Sequence, residues 1–188
     1  MLKPEENNME KLNILDIDGN IIGEEYRDVI HQKGLLHGEV HVWCLTPNNE
    51  LIFQHRAKDK DTYPDLLDAT AGGHVDLGET YEESAIKELL EETGLSATKD
   101  ELVFLSTEVH KSFDEVTKMT NHPRRNVYLL KRKVNVEDLV IEDGKALGFE
   151  SLPLDTLFNL DESDKKRFIS TLLNESGLRI FDLIRKNI

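Results

Sequence analysis

Apolar and polar residues alternate from His37 to Leu45 in a valine-rich run, Pro47-Asn48-Asn49 turns the chain, and Leu51-Ile52-Phe53 returns. That pattern predicts a β-hairpin. Leu12 to Asp16, a turn at Asp18-Gly19, and Ile21-Ile22 predict a second one. Glu24 to Gln32 has helical spacing and is stopped by Gly34. Residues 57–66 form a charged loop. Further strands are predicted at Leu102–Val109, Asn126–Val134 and Lys145–Leu152, with a polar loop from His110 to His122 between the first two. Pro153 to Leu160 opens a helix. Residues 162–187 repeat apolar positions at helical spacing (Phe168, Leu172, Leu173, Leu178, Phe181, Ile184), interrupted near Gly177. Residues 1–11 read as a polar leader and 12–188 as one domain. Strands interleaved with helices predict a mixed sheet covered by helices.

Composition narrows the classes open to such a fold. A net charge of −14 disfavours binding to a nucleic-acid backbone, so no polymer of that kind is expected as a partner. Cys44 is the single cysteine, which excludes an intrachain disulfide and a thiolate zinc cluster and agrees with a reducing cytoplasm. Its place on a predicted strand makes it a small buried hydrophobe. No apolar run reaches membrane-spanning length, so a membrane is not expected as a partner either.

The most informative stretch runs from Gly72 to Leu95. Thr80 and Glu83 have the spacing of a capping box, Ala85, Ile86, Leu89 and Leu90 supply an apolar side, and Gly94 is a C-terminal stop. On that helix Glu88, Glu91 and Glu92 stand at i, i+3 and i+4 and share a face. Like charges so placed repel by a few tenths of a kcal/mol per pair. One reading is a solvated acidic face. The other is a site for a hard divalent cation, whose oxygen preference reverses the sign of that interaction.

The order of these residues resembles the Nudix box, G-x5-E-x7-R-E-U-x-E-E-x-G-U, with U a bulky aliphatic. Gly73, Glu79, Glu88, Leu89, Glu91, Glu92, Gly94 and Leu95 match eight of nine fixed positions. Lys87 departs from it, standing where the family has arginine. The resemblance implies an α/β/α sandwich with the box as loop-helix-loop. It implies a Mg²⁺- or Mn²⁺-dependent pyrophosphohydrolase acting on a small-molecule diphosphate, such as a nucleoside diphosphate linked to some moiety X, and leaves a homodimer open. It places the metal on Glu88, Glu91, Glu92 and the backbone of Gly73, and the proton-accepting role on Glu88 or Glu91. Lys87 then orients Glu88, though lysine lacks arginine's planar fork; alternatively it is a helix-surface charge paired with Glu83 or Glu91. Glu142 falls where family members recruit an accessory acid, and is otherwise a loop carboxylate.

Three further stretches, Val29–Trp43, Gln54–Pro64 and Asp68–His74, resemble the branch that contains type I isopentenyl diphosphate isomerases and their hydrolase relatives. Arg56 and Lys60 match residues that bind the diphosphate there. His37 and His74 match two ligands of the isomerases' histidine-rich metal site, and His31 lies near a third. We expect His37 and His74 to be structural or substrate-facing rather than metal-binding. The isomerases' cysteine position is Gly72 here, which argues against isomerisation. A non-catalytic module that binds a nucleotide, a diphosphate or a partner through a degraded box is the reading from a different class.

Overall fold

The alternation from His37 to Leu45 has a direct structural counterpart. Val40, Val42 and Cys44 join one hydrophobic cluster, and Trp43 and Leu45 join another on the opposite side of the sheet. The computed structural model describes residues 10–60, 62–142 and 144–188. Its strands are β1 (Lys11–Leu15), β2 (Ile21–Tyr26), β3 (His37–Leu45), β4 (Glu50–Arg56), β5 (Leu67–Asp68), β6 (Ala71–His74), β7 (Leu102–Val109), β8 (Ser112–Phe113), β9 (Thr120–Asn121), β10 (Pro123–Lys131) and β11 (Ala146–Pro153). Its α-helices are α1 (Arg27–Lys33), α2 (Tyr81–Thr93), α3 (Glu162–Lys165) and α4 (Glu175–Arg185).

β3 organises a nine-stranded mixed sheet. Along its whole length it pairs in parallel with β10, from Pro123↔His37 to Lys131↔Leu45. Its other edge is shared by β1 at His37, β6 over Glu39–Val42 and β4 at Cys44-Leu45. Where β3 and β4 diverge, the Thr70 hydroxyl donates to Ile52 O at 2.5 Å and accepts from Cys44 N at 2.9 Å. One buried side chain thus satisfies backbone groups that a continuous ladder would have paired. β2, β7 and β11 extend the sheet beyond β1, β10 and β4.

Helices cover both faces. Ala85 and Leu89 of α2 pack with Val40, Val42 and Cys44; Ile180, Phe181 and Ile184 of α4 pack with Trp43, Phe53 and Leu129. This is the α/β/α arrangement expected of the sequence. Cys44 is fully buried, and burial pushes its thiol up to about 12. No described helix is long and apolar enough to cross a membrane.

Several elements differ from the pattern. Glu24 to Tyr26 belong to β2, because the β1 ladder holds them extended to the Lys11↔Tyr26 pair, and the helix starts at Arg27. The strand expected from Asn126 begins at Pro123, drawn into register by His37. The polar loop from His110 to His122 contains the small β8–β9 hairpin. The C-terminal segment is no long helix: 3₁₀ turns at Leu154–Phe158 and Ser170–Leu172 alternate with α3 and α4. Gly177 does not break the pattern but lies inside the first turn of α4, where Asn174 caps its N–H at 2.9 Å. A Cβ at Gly177 would sit 2.1 Å from Leu172 O, so close approach of the preceding turn requires glycine. Residues 1–9 of the expected leader lie outside the described residues.

Candidate active site

α2 forms for the reasons its sequence suggests. Thr80 and Glu83 make a reciprocal capping box, and Gly94 closes the helix at φ 74° with its N–H on Leu90 O. Leu90 is the exception to the apolar side, at 51% exposure, because the sheet covers only the stripe through Ala85 and Leu89.

Two of the three clustered glutamates turn inward from α2 onto β6. A Cβ built on Gly73 would come within 2.3 Å of the Glu88 carboxyl, so glycine is what admits that side chain. The Glu92 carboxylate is buried and accepts from Gly72 N at 3.0 Å and from Gln54 Nε2 at 3.2 Å. Burial, then repulsion from Glu92, pushes Glu88 up to about 7. Burial also pushes Glu92 up to about 7, against the Gly72 N–H and Lys145, which favour its charged form. Glu91 stands on the exposed side of the same turn.

Lys87 does not pair with Glu83 or Glu91. Its ammonium donates to the Asp76 carboxylate and lies 3.8 Å from Glu79, and these acids, the Asp76 bond first, raise its pKa. Glu79 in turn accepts from Ser84 Oγ at 2.5 Å. Lys87 therefore ties the loop before α2 to the helix. The cation that acts on both carboxylates is Lys145, which favours the charged forms of Glu88 and Glu92 and carries no signal in the sequence. Lys145 Nζ lies 2.9 Å from Glu142. Burial works against its charge, but Glu142, Glu92 and Glu88 outweigh it. Glu142 is thereby brought near Glu92, whose charged form it disfavours. Lys60 joins the same group; burial, then Arg56 and Lys145, lowers its pKa.

Arg56 is committed within the chain. Its guanidinium donates to Asp68 at 3.0 Å, to Thr62 O at 2.9 Å and to Tyr63 O at 3.2 Å. It orders the loop that carries Lys60, and its three nitrogens are engaged without a substrate.

The other face of β6 holds a second polar group. His31 Nε2 and His74 Nε2 are 3.2 Å apart, and His37 packs against both rings. His37 is fully buried, its Nδ1 lies 3.0 Å from Leu35 O, and its Nε2 has no hydrogen-bond partner. Full burial leaves the His37 ring no exposed surface, whereas His31 and His74 are partly exposed. Burial lowers the pKa of all three, His31 to about 4, so they are neutral at pH 7. Three imidazole nitrogens within 4.8 Å of one another, one of them orphaned, suit the histidine-rich metal site that the isomerase resemblance implies. Next along β3, Glu39 pairs with Arg125 at 2.6 Å.

The profile of the NUDIX domain matches residues 35–172. The chain belongs to the Nudix family. As a Nudix hydrolase it is 29% identical over 151 residues to an uncharacterised Nudix hydrolase of Clostridium acetobutylicum, spanning 79% of this chain and 72% of that one. It is 26% identical to Nudix hydrolase 3 of Arabidopsis thaliana, over 85% of this chain but only 21% of that longer protein. An isopentenyl-diphosphate Delta-isomerase of Serratia proteamaculans is 34% identical over 88 residues, 47% of this chain and 49% of that one. Among solved structures, a Deinococcus radiodurans protein superposes with a TM-score of 0.68 at 20% identity, covering 91% of this chain and 99% of that one. The Nudix domain of Shewanella oneidensis NrtR, complexed with ADP ribose, superposes at 0.56 and 15% identity, covering 81% and 86%. At these identities the superpositions establish the fold. The family generally uses divalent metal ions.

Proposed function

We propose that this Nudix hydrolase cleaves a phosphoanhydride in a nucleoside diphosphate linked to a moiety X, or in a related diphosphate, with Mg²⁺ or Mn²⁺. The observation that carries the reading is the convergence of Glu88 and Glu92 on Gly72-Gly73, both pushed up to about 7, with Lys145 and Glu142 beside them. Two crowded carboxylates of that kind suit a hard divalent cation, with Glu91 at the rim and the Gly73 backbone oxygen completing the donor set. Such an ion supplies charge neutralisation on the phosphate and a bound water of lowered pKa.

The remaining work falls to the chain. Glu88 or Glu91 accepts the proton of the attacking water. Lys60 and Lys145 meet the phosphate oxygens as point charges. Arg56 keeps the loop around Lys60 in place. Lys87 holds Asp76 and Glu79 against α2, so its part in orienting Glu88 is indirect. The ligand named for the Shewanella domain, ADP ribose, is a nucleoside diphosphate linked to a second group, which agrees with this substrate class.

Isomerisation is disfavoured on geometric grounds as well. A Cβ at Gly72 would lie 2.7 Å from His41 Cδ2 and 2.9 Å from Val40 O, so the strand leaves no room for a cysteine there. The test is incubation with Mg²⁺ or Mn²⁺ and a panel of dinucleotides, nucleotide sugars, nucleoside triphosphates and isopentenyl diphosphate. Metal-dependent phosphoanhydride cleavage is the expected result. Isomer formation, or turnover undiminished in excess chelator, would sink the reading, and silence across the panel would favour a binding module.

A further inference from the structure

Gln54 carries a buried amide, at 5% exposure, on a strand whose preceding residues Ile52 and Phe53 belong to the two hydrophobic clusters. Side chains two apart on a strand share a face, so Gln54 lies on the α2 side with Ile52. A buried amide costs free energy unless its hydrogen bonds are met, and a methionine would fill the same space without that cost. Among the described residues the Gln54 side chain makes one hydrogen bond, from Nε2 to Oε2 of Glu92 at 3.2 Å. Gly72 N donates to the same oxygen at 3.0 Å. We infer that Gln54 is a positioning residue that closes Oε2 of Glu92, so that Glu92 offers a cation one oxygen and the site selects a small octahedral ion over Ca²⁺.

Lone pairs decide what Glu92 can do. An ionised carboxylate has about four acceptor positions, two on each oxygen. The two N–H groups on Oε2 use both of its positions. Among the described residues no group donates to Oε1, and Oε1 is not one of the fully buried side-chain atoms left without a partner. It is therefore the oxygen that stays open. With the Gly72 N–H alone, Oε2 would keep one position for a metal, and Glu92 could grip an ion through both oxygens. The Gln54 amide removes that option.

The difference sorts cations. Ca²⁺ takes roughly six to eight oxygens at about 2.3–2.6 Å and accepts carboxylates two oxygens at a time, whereas Mg²⁺ demands near-octahedral geometry at about 2.0–2.1 Å. A carboxylate restricted to one oxygen suits the smaller ion and leaves the larger one short of ligands. The restriction is rigid because both donors ride on the sheet. At Gln54, β4 is paired on both sides, with Asp68 of β5 and Phe149 of β11, and Gly72 is paired with His41 of β3. The chemistry of the donor matters as well. A lysine at 54 would fill the same lone pair but cancel the charge that draws a cation; the amide adds a donor and no charge.

This role for Gln54 rests on the metal site proposed above, and one titration separates the two. Mn²⁺ binding to the full chain is followed by the electron-spin resonance of the free ion, with Ca²⁺ titrated against it and no substrate present. Wild type should bind Mn²⁺ about tenfold or more tightly than Ca²⁺. Gln54→Met should narrow that ratio about fivefold or more. In a Glu92→Gln background the same substitution should leave the ratio unchanged, because the carboxylate it would release is gone. A packing role would instead weaken both ions alike in both backgrounds. Infrared spectra keep the test independent of how Gln54→Met folds. Difference spectra with and without saturating Mg²⁺, taken on wild type and on Glu92→Gln and then subtracted, isolate the Glu92 stretches. The separation of the antisymmetric and symmetric stretches should widen on binding, the mark of a carboxylate held by one oxygen. An unchanged ratio in Gln54→Met, an equal shift in the Glu92→Gln background, or a narrowed separation overturns the inference and leaves the metal site standing. A wild-type chain that binds neither ion overturns the metal site, and this role with it.

Discussion

Gly72 and Gly73 are neighbours in the chain and look to opposite faces of the sheet. The Cβ missing from Gly73 leaves room for the Glu88 carboxyl, and the one missing from Gly72 leaves room for the His41 ring. On the α2 face the groups are acidic, crowded and raised toward neutrality. On the α4 face they are neutral histidines and a closed Glu39–Arg125 pair. The same fold burial thus does opposite things: it stores protons on carboxylates that a cation would discharge, and strips them from histidines. A Cβ at Gly72 would meet backbone as well as the His41 ring, whereas one at Gly73 would meet only the movable end of Glu88.

The strongest test of that contrast is to add the missing carbon on each side. Gly73→Ala must displace Glu88, and kcat should fall by about 10²-fold, as misplacement by an ångström can. Gly72→Ala meets backbone at Val40 O as well as His41, so it should lower Tm through a loss of about 1–3 kcal/mol. Equal loss of kcat in both, with Tm unchanged, would show that the two faces work as one.

Glu92→Gln probes the acidic face alone. Turnover should drop at least ~10²-fold, in line with lost metal-centred stabilisation. Stability should move the other way. The Glu92 carboxyl has its usual pKa of 4.5 when unfolded and about 7 when folded. Between those values the folded chain holds the extra proton, so this group's contribution to stability falls as pH rises through the window. Glutamine removes that loss while still able to accept from Gly72 N. The variant should match wild type near pH 4.5 and gain on the order of 2 kcal/mol above pH 7. Urea melts of both proteins across the range, without metal, read this. Subtracting wild type matters because His31 and His41, held at about 4, lose stability as pH falls through the same region. A gain that does not grow with pH would contradict the raised pKa.

Lys145→Met should come next in size, with kcat lowered about tenfold, since a point charge near the phosphates and a partner of Glu142 are both lost. Manganese affinity measured alongside should rise, because Lys145 offsets the charge of Glu88, Glu92 and Glu142 that draws the metal. Unchanged kinetics would remove Lys145 from the site.

What the sequence made legible follows from how local each feature is. The α2 cap, its glycine stop and the spacing of Glu88, Glu91 and Glu92 lie within one continuous run, and all are seen in the fold. A mixed sheet covered by helices was readable from strands interleaved with helical patterns, and the α/β/α layering from the resemblance of the box. Lys145 and Gln54 were not, because their partners are set by the β4–β11 pairing and by α2, far apart in sequence. Arg56 matches a phosphate-binding position by resemblance, and its partners Asp68, Thr62 and Tyr63 come from a loop fold that spacing does not reveal. Gly177 was read as a breaker for a similar reason: the crowding carbonyl belongs to the preceding turn.

The smallest effect is expected at Lys87, where the box departs from its family. If lysine were a poor substitute for an arginine that grips Glu88 directly, Lys87→Arg would raise kcat several-fold. Here the ammonium instead bridges Asp76 and Glu79, at 37% exposure, and reaches Glu88 only through the field it adds. An arginine fork can keep both of those acids, since two nitrogens can serve two carboxylates. Lys87→Arg should then change kcat by less than about twofold, the scale of a partly exposed pair worth ~0.2–1 kcal/mol. Lys87→Ala should lower kcat modestly and lower Tm with it, because the loop holding Asp76 and Glu79 loses its tie to α2. Steady-state kinetics and melts of the two variants separate the views: a several-fold gain from arginine with no change in Tm would restore the direct grip on Glu88, and with it a closer likeness of this box to the rest of its family.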